Sequence, residues 1–463
     1  MKVDSEVETS ESNTRGQNSN SSKVTTAFVA LVFVVYAARM FLLISRYAVN
    51  IFFSDQWDFN EATLFHHHSL WQIFTWQHGP HRQGVGGLFE KLVDPMFLWN
   101  SRTESFFVGG VIVAAAIATS YLKRRLFGGL SITDVVIPAL FFTSAQWETL
   151  FVTANFAHGP FPLLLVVLYC LSWTCSKNSF RYPLILITDF LITYTGFGLF
   201  LGLLTPFLLV LDYWTSPRGR PARLHFAVIL FASLAVIGSF FIGYRFNADL
   251  ECFSFKTRSP ASYLNFVGLM FANFLAVRGP HAFPRIIGIL ILAAVIAALG
   301  IAFKALWRPT IGEQSEDHIL WIVIVTLIAY TLLFCANTAY GRICGGLWMA
   351  LAPRYAIYLE PAFLGVYFLL LRHQGQAQKW LIGGFLLAII AASLHVDRVD
   401  MAHFRDLKQQ WKTCYLKTED VQQCNQLVGS SVYVHSPEQT HLQEKLQFLK
   451  QTRQNLYADL GGN

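Results

Sequence analysis

The stretch VTTAFVALVFVVYAARMFLLI, residues 24–44, decides the fold. It is apolar on every side, whereas a helix packed on a soluble core is apolar along one stripe only. At about 1.5 Å per residue it reaches across the roughly 30 Å hydrocarbon core of a bilayer. Residues 106–122, 286–303 and 319–334 repeat the pattern. Over the whole chain of 463 residues, 54% are hydrophobic and 14% charged, against about 25% charged in a soluble domain. These blocks predict an all-α polytopic bundle of transmembrane helices.

Working outward, residues 1–23 are rich in Ser, Asn, Thr and Glu and lack apolar periodicity, which predicts a disordered N-terminal tail. No small-residue cleavage site follows the first apolar block, so that block is expected to remain as the first span. The net charge is +7, but the Lys and Arg residues stand in short loops between apolar blocks. That is the pattern of positive loops kept cytoplasmic. No basic run is interleaved with aromatics, so nucleic acid is not an expected partner.

Keeping the basic loops inside gives about eleven spans: 24–44, 106–122, 132–152, 161–175, 183–194, 197–213, 226–244, 285–303, 319–336, 355–371 and 380–394. The N-terminus is then cytoplasmic, with a membrane domain over 24–395 and a first outer loop over 45–105. The segment 262–277 reads as a helix at the outer interface or re-entering the bilayer. Residues 396–463 form a small helical tail outside, with Leu442, Leu446 and Leu449 at helical spacing. Cys414 and Cys424 in it are disulfide candidates for an oxidising compartment, worth roughly 3 kcal/mol for a loop of this size. The other five cysteines are expected to pack in or near spans.

On this threading the polar residues that need explaining gather on the outer face. The first loop opens with Ser54-Asp55-Gln56-Trp57-Asp58-Phe59, continues through Glu61 and His66-His67-His68, and reaches His78-Gly79-Pro80-His81-Arg82. Alternation over 60–76 predicts an amphipathic surface helix. Asp55 and Asp58 can share one helical face. Gln146-Trp147-Glu148 fall at the outer end of the third span. Ala339-Tyr340-Gly341-Arg342 and Ala352-Pro353-Arg354-Tyr355 lie between the ninth and tenth. Arginines held there can grip a phosphate through two hydrogen bonds. Three consecutive histidines on a helix point apart and cannot readily converge on one ion. Asp189 and Glu360 fall within spans and should face the bundle interior. The chain has no nucleotide phosphate-binding loop, HExxH pair, CxxC pair or dinucleotide fingerprint.

The order SDQWDF, an HR block, QWE, then GR and APRY before a late span resembles bacterial membrane glycosyltransferases of the GT-C superfamily. The resemblance implies a sugar taken from a polyprenyl-phosphate or related lipid carrier. It implies Asp55 as first candidate for the base on the acceptor hydroxyl and Asp58 as second. Arg342 or Arg354, with Arg82, would bind the carrier phosphate, and His81, Gln146, Glu148 and Tyr355 would line the substrate site. No Asp-Asp or Asp-Glu pair stands in the loop, so the choice of base stays open. The expected activity is an inverting transfer to a glycan, lipid or protein acceptor, in a bacterial inner (plasma) membrane. No cofactor is expected, and a divalent metal stays open. The alternative is a transporter or a lipid or sugar flippase. Asp189 and Glu360 favour it, whereas the bias of polar residues to one face does not. A third reading is a scaffold built around the tail.

Overall fold

The computed structural model describes residues 5–216, 221–246, 259–307, 315–372, 375–433 and 437–461. Arg218, Arg220, Lys256, Arg258 and Arg308, basic loop residues of the threading, lie outside them. The described chain is almost wholly helical; its one sheet pairs β1 (Gln77–His78) with β2 (His81–Arg82).

Seven helices among the described residues are long and apolar enough to cross a membrane: Lys23–Tyr47, Ser101–Phe127, Arg223–Phe240, Ala282–Trp307, Asp317–Gly345, Pro353–Arg372 and Gln376–Thr418. The last joins an apolar helix to a polar one across residues 395–397. Shorter apolar helices cover Ile132–Gln146, Pro160–Trp173 and Leu199–Thr215. Asp317–Gly345 and Pro353–Arg372 are 78% buried and form the centre, while Arg223–Phe240, at 17%, turns Leu224 and Phe231 outward. Exposed apolar faces of this kind suit a lipid surround. The chain is a multi-pass helical membrane protein by these criteria.

In chain order the helices are α1 (Ser5–Tyr47), α2 (Gln56–Asn60), α3 (Leu70–Phe74), α4 (Gly84–Val93), α5 (Ser101–Phe127), α6 (Val136–Phe141), α7 (Pro160–Trp173), α8 (Asn178–Thr193), α9 (Leu199–Thr215) and α10 (Arg223–Phe240). They continue as α11 (Pro260–Phe274), α12 (Ala282–Trp307), α13 (Ser315–Arg342), α14 (Ala356–Arg372), α15 (Gln376–Leu394), α16 (Arg398–Thr418), α17 (Val421–Val428), α18 (Pro437–Thr440) and α19 (Leu442–Thr452). Helix α1 continues upstream to Ser5, so the backbone of the polar segment expected to be disordered is helical. Once the apolar part has formed, lengthening a helix no longer carries the cost of nucleation.

One segment departs from the threading, and another takes only one of its two expected placements. Residues 132–152 are not one span: α6 stops at Phe141, and a 3-10 turn (Ser144–Gln146) and a π-turn (Glu148–Val152) follow. Thr143 starts the new turn by accepting from the Ala145 amide, while Gln146 donates to the Phe141 carbonyl at 2.6 Å. Such a break is tolerated because Phe141, Phe142 and Gln146 are buried in protein. The segment expected at the interface or re-entrant is α11. It packs Gly268 directly on Gly288 of α12, where a Cβ on Gly288 would stand 2.0 Å from the Gly268 carbonyl oxygen. Small residues allow that backbone approach. The half from Gly268 to Phe274 is buried, so α11 belongs to the bundle and does not lie on its surface. Its 15 residues rise about 22 Å, short of a full crossing.

The first loop and the tail assemble on one end of the bundle. The helix expected over 60–76 is split: a π-turn ends at Phe65, His66 is extended, and Ser69 opens α3 with a capping box to Gln72. In the tail Trp411, Tyr415, Leu442, Leu446, Leu449 and Leu456 are buried together, and Cys414 is bonded to Cys424. Cys344, expected only to pack, is also disulfide-bonded. The tail is keyed into the loop by Asn455. It donates to the Trp99 carbonyl at 2.7 Å and the Ser101 hydroxyl at 2.9 Å, and accepts from the Phe52 amide at 3.1 Å.

Candidate functional site

Ser54 is in the left-handed region (φ 53°), uncommon for a residue with a side chain. Its amide is held by the Val432 carbonyl of the tail at 2.7 Å. That turn starts α2 and sets out Asp55 and Asp58, both half-buried, one turn apart. Between them Gln56 and Trp57 point inward as anchors. Trp57 is fully buried, and Gln56 donates to the Ala154 carbonyl at 2.9 Å and to Glu104 at 3.2 Å. Asp55 accepts from the Ser54 hydroxyl at 3.3 Å, and Asp58 accepts from the Tyr433 hydroxyl of the tail.

The β1–β2 turn delivers two histidines to these acids. His78 Nδ1 lies 4.0 Å from Asp58. Asp55, Asp58 and His78 each offer one ligand atom within 4.8 Å of the others. This mixed oxygen and nitrogen set suits a divalent cation. His81 and His158 stand behind it, with ring centroids 5.1 Å apart. Burial first, then the neighbouring His158, His78 and Arg342, push His81 well below the ordinary histidine value. Burial and His78 push His158 down to about 3, against the pull of Asp55. Both rings are therefore neutral at neutral pH, suited to hydrogen bonding and not to neutralising a phosphate. The Nε2 of His158 is buried with no hydrogen-bond partner among the described residues.

The arginines divide. Arg354 pairs with Glu148 at 2.8 Å, takes a second bond from its own amide to the same carboxylate at 3.2 Å, and lies over the ring of buried Tyr355. Asp55 acts electrostatically on both Arg354 and His158, so acid, histidine and arginine form one neighbourhood. Arg342 ends α13 exposed, with no ion pair among the described residues, and its charge is felt at His81.

Arg82 is a correction. It is buried, and its guanidinium donates to the Phe240 carbonyl at 2.6 and 3.0 Å, to Ile242 at 2.7 Å and to Thr75. It closes the carbonyl end of α10, which an unfinished helix terminus requires, and is not available to a phosphate. Gln146 is buried inside the break after α6, where its amide nitrogen donates to the Phe141 carbonyl and its oxygen has no partner among the described residues.

A cleft of about 720 Å³ opens beside Asp58, between the first loop and α19; Glu61, Trp76, Tyr433, Lys445 and Phe448 are among its walls. The sequence left open whether the tail covers this cavity or meets a partner, and it missed His78 as a partner of Asp58. The latter had a signal in the His78-Gly79-Pro80-His81 block, because a Gly-Pro turn brings its flanking residues back together. No family model matches the chain, and no curated protein matches it.

Proposed function

We propose that this chain is an inverting membrane glycosyltransferase of the GT-C type, moving a sugar from a lipid-phosphate donor to an acceptor hydroxyl at the loop-and-tail end. The observation that carries it is the junction of Asp55 with Arg354 and His158, together with Arg342, whose charge is felt at His81 and which has no ion pair among the described residues. An acid that can take a hydroxyl proton there stands beside cations that can receive a leaving phosphate. The carboxylate removes the proton as the hydroxyl oxygen attacks the anomeric carbon. The bond to the carrier phosphate breaks on the opposite face, and arginine charge offsets the charge that develops on it.

The same reading has about eleven spans, a cytoplasmic N-terminus and an outer tail in a bacterial inner membrane. It is supported by Lys123, Arg124 and Arg125 at the far end of α5, and by the Cys414–Cys424 and Cys344 disulfides at the loop end. Disulfides persist in an oxidising compartment.

Transport has one observation in its favour: Glu360, buried in central α14, has neither carboxylate oxygen hydrogen-bonded among the described residues. Transfer from fluorescent polyprenyl-phosphate hexose and pentose donors, in membranes bearing wild type, Asp55→Asn or Asp58→Asn, separates the readings. Asp55→Asn should lose roughly 10²–10⁴-fold. Loss confined to Asp58→Asn reassigns the base, transfer undiminished in both variants removes both acids from that role, and transfer no greater than in membranes lacking the protein removes the enzymatic reading.

A further inference from the structure

The cleft beside Asp58 has a composition that selects among ligands. Its volume of about 720 Å³ falls within the range of roughly 300–1,000 Å³ typical of small-molecule sites. Phe65, Trp76, Tyr433 and Phe448 supply ring surface, and Asp58, Glu61 and Glu444 supply carboxylates. Lys445 is the one Lys or Arg among the described lining residues. Its ammonium is already engaged: it lies 2.6 Å from Glu61, 5.4 Å from the centre of the Phe65 ring and 5.2 Å from that of Tyr433. Counted over its Asp, Glu, Lys and Arg side chains, three carboxylates against one lysine make the cleft net negative. Such a field repels phosphates and carboxylates.

We infer that this cleft holds a neutral saccharide, and that the saccharide is the acceptor; the second clause rests on the transferase reading above. A sugar chain carries a hydroxyl donor on most carbons, which matches an acceptor-rich wall, and presents C–H faces to aromatic rings. The phosphate-bearing donor is excluded by charge and belongs on the Arg342 side of Asp55. Asp58 joins the two regions: it lines the cleft and stands one turn from Asp55, so a hydroxyl at the cleft's inner end reaches the carboxylate pair.

The test reads binding without any donor, using the full-length protein in nanodiscs. The probes are labelled neutral tetrasaccharides of glucose, mannose, xylose and arabinose, the glucose and mannose probes also as 6-phosphates, and serine-containing peptides. A neutral saccharide should bind, its 6-phosphate should bind more weakly, and Phe448→Ala or Trp76→Ala should weaken binding roughly tenfold. Glu444 is exposed, so Glu444→Lys should fold normally, and it should shift the preference toward the phosphorylated probe. Failure of all neutral saccharides, a peptide binding in their place, or a preference unmoved by Glu444→Lys overturns the inference. Saccharide binding in a protein inert with every lipid-linked donor keeps the cleft assignment and removes the transferase reading. Transfer to a lipid acceptor without saccharide binding does the reverse.

Discussion

At the end of α5 away from the first loop, Lys123 is buried against Asp134 at 2.8 Å and donates to the Gly129 carbonyl at 2.6 Å. Asp134 in turn accepts from the Tyr367 hydroxyl at 2.6 Å and from the Ser131 amide at 2.5 Å. At the loop end Arg342 is exposed and has no ion pair among the described residues. One cation is fully partnered inside the fold and fastens α5 to the break before α6 and to α14. The other leaves its donors to water or a ligand. Position at the loop end does not by itself make a binding group, since Arg82 is there too and is as fully partnered as Lys123.

Breaking the inner pair is the harshest test of that contrast. Lys123→Met leaves Asp134 buried without its cation and should cost about 3–5 kcal/mol, read as denaturation of the detergent-purified protein. A loss under about 1 kcal/mol would erase the distinction between the two ends. The tail's own fastening comes next. Cys414 and Cys424 are 10 residues apart, and Cys414→Ser should cost about 3 kcal/mol by loop entropy. Tail unfolding indistinguishable from wild type would show that the packing of Trp411 and Tyr415 suffices.

Arg342→Met should leave unfolding within about 0.5 kcal/mol of wild type while raising the donor concentration for half-saturation about 10–100-fold, the worth of a charge-assisted phosphate contact. A stability loss without a donor effect would class it with Arg82. The last effect is read in pH and is expected at Glu90, a buried acid that burial pushes up to about 8. Folded Glu90 keeps its proton where the unfolded chain has lost it. The stability it supports is therefore full below the ordinary glutamate value and is lost as pH rises toward 8. Glu90→Gln should flatten that alkaline decline in melting temperature; parallel curves would assign the decline elsewhere.

The spans were legible because a bilayer demands a long apolar run, and residues 24–44 lie inside Lys23–Tyr47. The stretch Ser54–Phe59 could be picked out because it sets two carboxylates three residues apart, on one helical face, soon after the first span. What the sequence could not carry was partnership. Glu148 meets Arg354 across 206 positions, and Arg82 meets Phe240 across 158. Arg82 and Arg342 look alike in one dimension. Only the placement of the α10 carbonyls separates them. The break after Phe141 was hidden for a related reason: an apolar stretch of membrane-spanning length hides an irregular backbone that is buried in protein.

The Asn455 contact has a consequence for how the protein is made. Phe52 leaves the ribosome 403 residues before the Asn455 side chain that its amide binds. At about 5–20 residues per second, the first loop waits on the order of 20–80 s for the tail, whose Val432 carbonyl holds Ser54 and whose Tyr433 hydroxyl meets Asp58. Synthesis order thus keeps the acid pair without its tail contacts until the tail has been translated. A chain truncated before Val432 would keep every apolar helix and lack the contacts that hold Ser54 and Asp58.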